Sequence, residues 1–174
     1  MLVGEHTIDE TLLPESPNIL DLGCRGFDFE KHFGGVYSVD IDLLEGDYYR
    51  LAISNKNGYV GIANTLDPQA RHIIEGNAIE AVTIEEFSKR VGVNHWDLIK
   101  IDIEGEEYNI LKDSKHPLAT QVSVEFHAHC GVQTKESLDE LLIYLSQYYT
   151  VHGAVWESRH GAGYNYWDVL LKAK

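Results

Sequence analysis

Asn18-Ile19-Leu20-Asp21-Leu22-Gly23-Cys24-Arg25-Gly26-Phe27 carries a short apolar run into two glycines and on towards a helix. Apolar residues without polar alternation, bounded by a turn, read as a strand covered on both faces. Glycines at its end allow a sharp turn with close backbone approach. Phe27 to Phe33 reads as a short helix, and Gly35 to Ile41 (GVYSVDI) as a second strand. Strand, glycine loop, helix and strand in that order describe a βαβ unit with parallel strands.

The same alternation continues along the chain. Tyr48 to Ser54 and Tyr59 to Ala63 flank Asn55-Lys56-Asn57-Gly58, and an Asn-Gly pair between apolar stretches predicts a hairpin. Thr83 to Val91 reads as a helix capped by Thr83, with Glu85 and Glu86 favourable in its first turn. Trp96 to Ile103 (WDLIKIDI) is strand-like, Glu106 to Lys115 helical, and Gln121 to His127 (QVSVEFH) a further strand. In Thr134 to Gln147, Leu138, Leu141, Leu142 and Leu145 recur on one helical face. Tyr148 to Trp156 and Tyr164 to Leu171 read as two closing strands joined through Arg159-His160-Gly161-Ala162-Gly163. The implied architecture is α/β, with a mostly parallel sheet ending in an antiparallel C-terminal hairpin. Residues 1–174 fit one domain, with no repeat or linker.

Composition narrows the function classes. Acidic residues number 28 against 14 basic ones, for a formal net charge of −14. Such a surface repels phosphate backbones and anionic membranes, so neither nucleic acid nor a membrane is the expected partner. No apolar run is long enough for a membrane helix. Met1 to Pro14 carries Glu5, Asp9 and Glu10 and lacks the pattern of a signal peptide, so a cytoplasmic location is expected. Cys24 and Cys130 are too few for a disulfide framework and read as reduced thiols.

The first loop has the spacing G-x-x-G, not the G-x-G-x-x-G of pyrophosphate-binding turns. It suits a ligand without phosphate, such as S-adenosylmethionine. In that reading Asp21 attracts the ligand's ammonium, the backbone around Gly23 and Gly26 packs on its methionine portion, and Asp40, at the end of the next strand, accepts the ribose hydroxyls. Asp42 is the second candidate for the ribose. The segment Lys100-Ile101-Asp102-Ile103-Glu104-Gly105 ends a buried strand in closely spaced acids. Such a concentration of charge costs repulsion and desolvation, and is commonest at ligand sites.

Asp97-Leu98-Ile99-Lys100-Ile101-Asp102-Ile103-Glu104-Gly105-Glu106-Glu107-Tyr108-Asn109-Ile110-Leu111-Lys112 closely resembles the K-I-D-V-E-G-x-E-x-x-[VI]-L-K signature of FkbM-type methyltransferases. Leu51 to Gly58, Val82 to Phe87 and Val124 to His127 resemble further segments of that family, so the likeness runs from about Asn18 to the C-terminus. The resemblance implies a Rossmann-like class I methyltransferase sheet, S-adenosylmethionine as cofactor and methyl transfer, commonly to oxygen. The chain departs from the family in three places. Its first loop reads D-L-G-C-R-G, its second strand ends V-D-I-D, and only Leu43 to Asp47 separate its second and third strands. A parallel crossover usually needs a dozen or more residues. The domain therefore reads as minimal, lacking the helix between those strands.

The implied chemistry is an in-line displacement needing aligned reactants and a base for the acceptor's proton. Asp102 is placed against the methionine end of the donor. Glu104, Glu125 and His127 face the acceptor, with His127 the preferred base by its ordinary pKa and His129 the second. Glu125-Phe126-His127-Ala128-His129-Cys130, together with Asp102, also offers oxygen and imidazole ligands for a divalent ion, but H-x-H is a weak signal and no metal is assigned. Cys24 reads as a small loop residue rather than a nucleophile. Trp96, Trp156 and Trp167 read as core or core-edge residues, and Tyr164-Asn165-Tyr166 lies where an acceptor pocket or plain aromatic packing would use it. The expected partner is a small-molecule or glycan acceptor, and the size admits a homo-oligomer. Competing readings are a non-catalytic binding module on a degenerate methyltransferase fold, a nicotinamide-dependent oxidoreductase and a metal hydrolase.

Overall fold

The computed structural model describes residues 1–63, 65, 71–127, 134–159 and 164–174, with the side chains of 154–159 and 164–167 excepted. Two short N-terminal strands, β1 (Leu2–Val3) and β2 (His6–Thr7), pair antiparallel and lead through a 3-10 turn at Glu10–Leu12 into β3 (Ile19–Leu22). There follow α1 (Asp28–His32), β4 (Val36–Asp40), β5 (Tyr49–Arg50), β6 (Ala52–Ile53), β7 (Gly58–Ile62) and β8 (Ile73–Val82). The second half contains α2 (Ile84–Val91), β9 (Trp96–Ile101), α3 (Glu107–Lys112), β10 (Ala119–His127), α4 (Lys135–Leu145), β11 (Tyr149–Arg159) and β12 (Tyr164–Ala173).

Seven strands form the main sheet in the order β11-β12-β10-β9-β3-β4-β5. From β10 to β5 every neighbour is parallel, whereas β12 runs antiparallel between β10 and β11. The fold is thus mixed α/β, with a large, mostly parallel sheet closed by an antiparallel strand. Near-continuous apolar runs belong in the middle of such a sheet. Ile19, Leu20, Leu22, Leu98, Ile99 and Ile101 on the two central strands are all fully buried. The leucine face of α4 packs into the same core, with Leu138 and Leu145 wholly excluded from solvent. Thr134 caps α4 through a reciprocal box with Ser137, and Thr83 caps α2 by accepting from the Glu86 amide. No helix among the described residues is long and apolar enough to cross a membrane.

One expectation changes. The Asn-Gly segment does not turn a hairpin. β6 and β7 both pair with β8, in parallel and antiparallel sense respectively, in a separate three-stranded sheet. The Asn57 side chain instead accepts from the Thr83 amide, anchoring the loop to the start of α2. The sequence reading also left β8 and the N-terminal hairpin unassigned. The link between β4 and β5 does lack a helix, as its length predicts: Ile41 to Tyr48 form a loop tied by Tyr48, whose hydroxyl accepts from the Leu44 amide and donates to the Asp42 carbonyl.

The core and the caps make separable contributions to stability. Leu138→Ala is expected to cost about 2–5 kcal/mol through lost burial and a residual cavity. Thr83→Ala should cost only about 1 kcal/mol. Urea unfolding of the two variants should show this ordering with unchanged slopes.

Candidate functional site

The carboxyl ends of β3, β4, β9 and β10 open into a cleft of about 570 Å³. That lies within the range of small-ligand pockets, and the carboxyl edge is where open α/β sheets bind ligands. Asp21, Asp40, Asp42, Asp102, Glu104 and Glu125 line it, and residues 3–6 of the N-terminal hairpin close one side.

Gly23 has φ +80°, and a Cβ there would lie 1.8 Å from the Asp102 carbonyl oxygen. The glycine is therefore required by contact between the β3 loop and the end of β9, independently of any ligand. A second tie joins the same elements. Lys100 is buried, and its Nζ donates to the Gly23 carbonyl at 2.6 Å while lying 3.2 Å from Asp21 Oδ1 and 3.4 Å from Asp102 Oδ2. Burial opposes the ammonium charge, but Asp21 and Asp102 outweigh it and hold Lys100 protonated above the usual lysine range. Burial likewise opposes the charge of Asp102, yet Lys100, His6 and His127 keep its carboxyl well below the ordinary range.

Asp21, only 1% exposed, is turned to this ammonium. The Asp102 side chain, by contrast, is one-third open to the cleft (32%). Asp40 stands at the end of β4, with Oδ1 accepting from the Asp42 amide at 2.8 Å. Burial pushes its pKa up. Asp42 is committed elsewhere: Arg25 binds Oδ2, and Arg71 binds Oδ1 at 2.7 Å. Both aspartates line the cleft. Cys24 is buried, and burial followed by repulsion from Asp21 and Asp40 raises its thiol far above the reactive range, in keeping with a packing role.

At the inner end, four carboxylates surround one imidazole. His127 Nδ1 lies 2.8 Å from Glu107 Oε1. Its Nε2 lies 3.4 Å from Asp102 Oδ1, 3.6 Å from Glu104 Oε1 and 3.4 Å from Glu125 Oε1. Glu107, fully buried, also accepts from the amides of Ile103 and Gly105, so one carboxylate fixes both the turn and the ring. The turn places Glu104 at φ +57°, a conformation uncommon outside glycine. Burial works against a charged His127, but Glu107, Glu125 and Asp102 prevail and raise its pKa well above normal. That direction favours the charged form of the ring over the neutral one. Glu125 is held below its usual range, burial opposing and His127 favouring its charge.

Two participants escaped the sequence reading. His6, buried on β2, is 3.2 Å through Nδ1 from Ser123 Oγ and 3.6 Å through Nε2 from Asp102 Oδ2. A lone histidine near the N-terminus gives no signal of such a contact. Glu107 was legible only as part of the acidic run. His129, Cys130 and His160 lie outside the described residues, as do the side chains of Trp156, Tyr164, Asn165, Tyr166 and Trp167.

A family model described as the methyltransferase FkbM domain matches residues 28–164. No curated protein matches the chain. Among solved structures, M. capricolum TrmK in complex with the natural cofactor product S-adenosyl-homocysteine is similar over 97% of this chain and 70% of that one, at 13% identity and a TM-score of 0.49.

The tie between loop and strand is testable without a ligand. Lys100→Met strands the buried carboxylate of Asp21 and takes the cation from half-buried Asp102, and should cost about 3–5 kcal/mol. Gly23→Ala, clashing with backbone at a positive φ, should also unfold at lower temperature than wild type. A melting point within one degree of wild type for either variant would contradict the packing described.

Proposed function

We infer that this chain, which belongs to the FkbM methyltransferase family, transfers a methyl group from S-adenosylmethionine to a hydroxyl oxygen of a small molecule or sugar. The observation that carries the reading is a cleft at the sheet's carboxyl edge rich in carboxylates, whose cations Arg25, Arg71 and Lys100 are paired with Asp42, Asp21 and Asp102. The strand order, with its one antiparallel insertion, is in keeping with the Rossmann-like class I methyltransferase sheet.

The lining suits this cofactor. A ligand bearing an ammonium and a sulfonium is attracted by such a cleft, whereas a pyrophosphate is repelled. This weighs against the nicotinamide-dependent alternative. Asp40 is assigned to the ribose hydroxyls, the loop from Gly23 to Gly26 to the methionine portion, and Asp102 to its ammonium. When bound, S-adenosylmethionine supplies a methyl carbon already activated by the adjoining sulfonium. The protein's part is alignment and proton removal. Glu104 and Glu125, with His127 between them, are assigned to the acceptor side, where a carboxylate takes the hydroxyl proton as the oxygen–carbon bond forms. Lys100 acts through Gly23 and Asp102 as a positioning residue.

Calorimetric titration with S-adenosylhomocysteine tests the donor site. Wild type should bind in the micromolar range, and Asp40→Asn should weaken binding at least tenfold. Because burial raises the Asp40 pKa and the ribose contact needs the ionised form, affinity should fall as pH drops through that raised pKa. The Asp40→Asn variant should lack this dependence. A folded wild type that binds no S-adenosylhomocysteine would overturn the reading and favour the non-catalytic module.

A further inference from the structure

We propose that Asp102, Glu125 and His127 form a binding site for one divalent first-row transition-metal ion at the inner end of the cleft. Asp102, Glu125 and His127 each offer a ligand atom, and these atoms lie within 4.8 Å of one another. The distances from the imidazole are more specific. Around a four-coordinate ion with bonds of about 2.1 Å, neighbouring ligand atoms are separated by about 3.4 Å. Nε2 lies 3.4 Å from one oxygen each of Asp102 and Glu125. Those separations are longer than hydrogen bonds and match ligands sharing an ion.

The second, independent observation is on the far side of the ring. Nδ1 is engaged by Glu107 at 2.8 Å. Metal-binding histidines almost always give their other nitrogen to a carboxylate or carbonyl, which fixes the tautomer and aims the free lone pair. Here Glu107 is itself held by two backbone amides, and the His127 side chain is only 2% exposed, so Nε2 has one direction available. The mixed imidazole and carboxylate set suits ions such as Mn²⁺ and Zn²⁺. One proton on His127 answers the charge of the surrounding carboxylates in one way; an ion that displaces it answers it in another. Binding of the ion does not depend on the methyl-transfer reading. Its use does: rested on that reading, the ion draws in the acceptor oxygen and eases loss of its proton.

The test is calorimetric titration of the whole chain, freed of metal by chelation and dialysis, with Mn²⁺ alone and with Zn²⁺ alone. One equivalent should bind saturably and raise the melting temperature. Glu125→Gln and His127→Gln should weaken binding at least tenfold, and Glu107→Gln by ten- to a hundredfold with unchanged stoichiometry. Should the buried variants fail to fold, Asp102→Asn, whose side chain is one-third open to the cleft, should fold and still lose affinity. A folded wild type without saturable uptake, or uptake equal in wild type and Asp102→Asn, overturns the proposal. Titration of the same metal-free protein with S-adenosylhomocysteine separates the two inferences. Nucleoside binding without metal uptake sinks the ion site alone, and metal uptake without nucleoside binding supports the ion site while sinking the donor assignment.

Discussion

A buried ammonium organises the site. Lys100 reaches from β9 to the carbonyl of Gly23 and sits between Asp21 and Asp102. Each partner belongs to a different part of the cleft: Asp21 to β3, Gly23 to the loop beyond it, and Asp102 to the loop after β9. A buried charge pair is rarely a large net source of stability, because desolvation offsets the attraction. What it supplies is register. The neighbouring ends of β3 and β9 are fixed by one charged group, and Gly23 must be glycine for them to approach so closely.

The fixed end of β9 then governs the chemistry beyond it. Asp102 shows one oxygen to Lys100 and His6 and the other to His127. It thereby joins a charge-balanced structural region to an acidic one. Past it, the turn through Glu104 and Gly105 is held by Glu107, which grips the imidazole as well. Any displacement of this turn moves Glu104 and His127 together. Two rigid supports, Lys100 behind Asp102 and Glu107 behind His127, keep acidic groups at close quarters where repulsion alone would spread them.

The sequence made the central sheet readable because β3 and β9 are covered on both faces, which leaves an unbroken apolar run. The helices α2 and α4 were readable from caps and leucine spacing, which are local properties. Asp40 and the acidic run were readable as a cluster of carboxylates at strand ends, and the structure brings them to one cleft. The failures have tertiary causes. β8 alternates poorly and has Gly76 at its middle, where the chain crosses against Gly61 so closely that a Cβ on Gly76 would lie 2.8 Å from the other's Cα. Asn57-Gly58 carries a strong hairpin preference, but pairing of both flanking strands to β8 overrides it. His6 depends on a contact with Ser123, far away in sequence, and Asp42 is withdrawn by Arg71 from a distant segment.

The shortened connection after β4 raises a question about the cleft's outer wall, and the side chains answer it. Where a crossover helix is absent, Asp42 binds Arg25 from the first loop and Arg71 from the approach to β8. Tyr48 closes the loop on itself, and its ring meets Phe27 edge to face. Gly46 lets that phenylalanine in, for a Cβ there would lie 2.9 Å from the ring. Ion pairs and an aromatic contact thus link segments that a helix would otherwise join. Because both oxygens of Asp42 serve this wall and its amide donates to Asp40, the neighbouring carboxylate at the end of β4 is held in place by the same set of contacts.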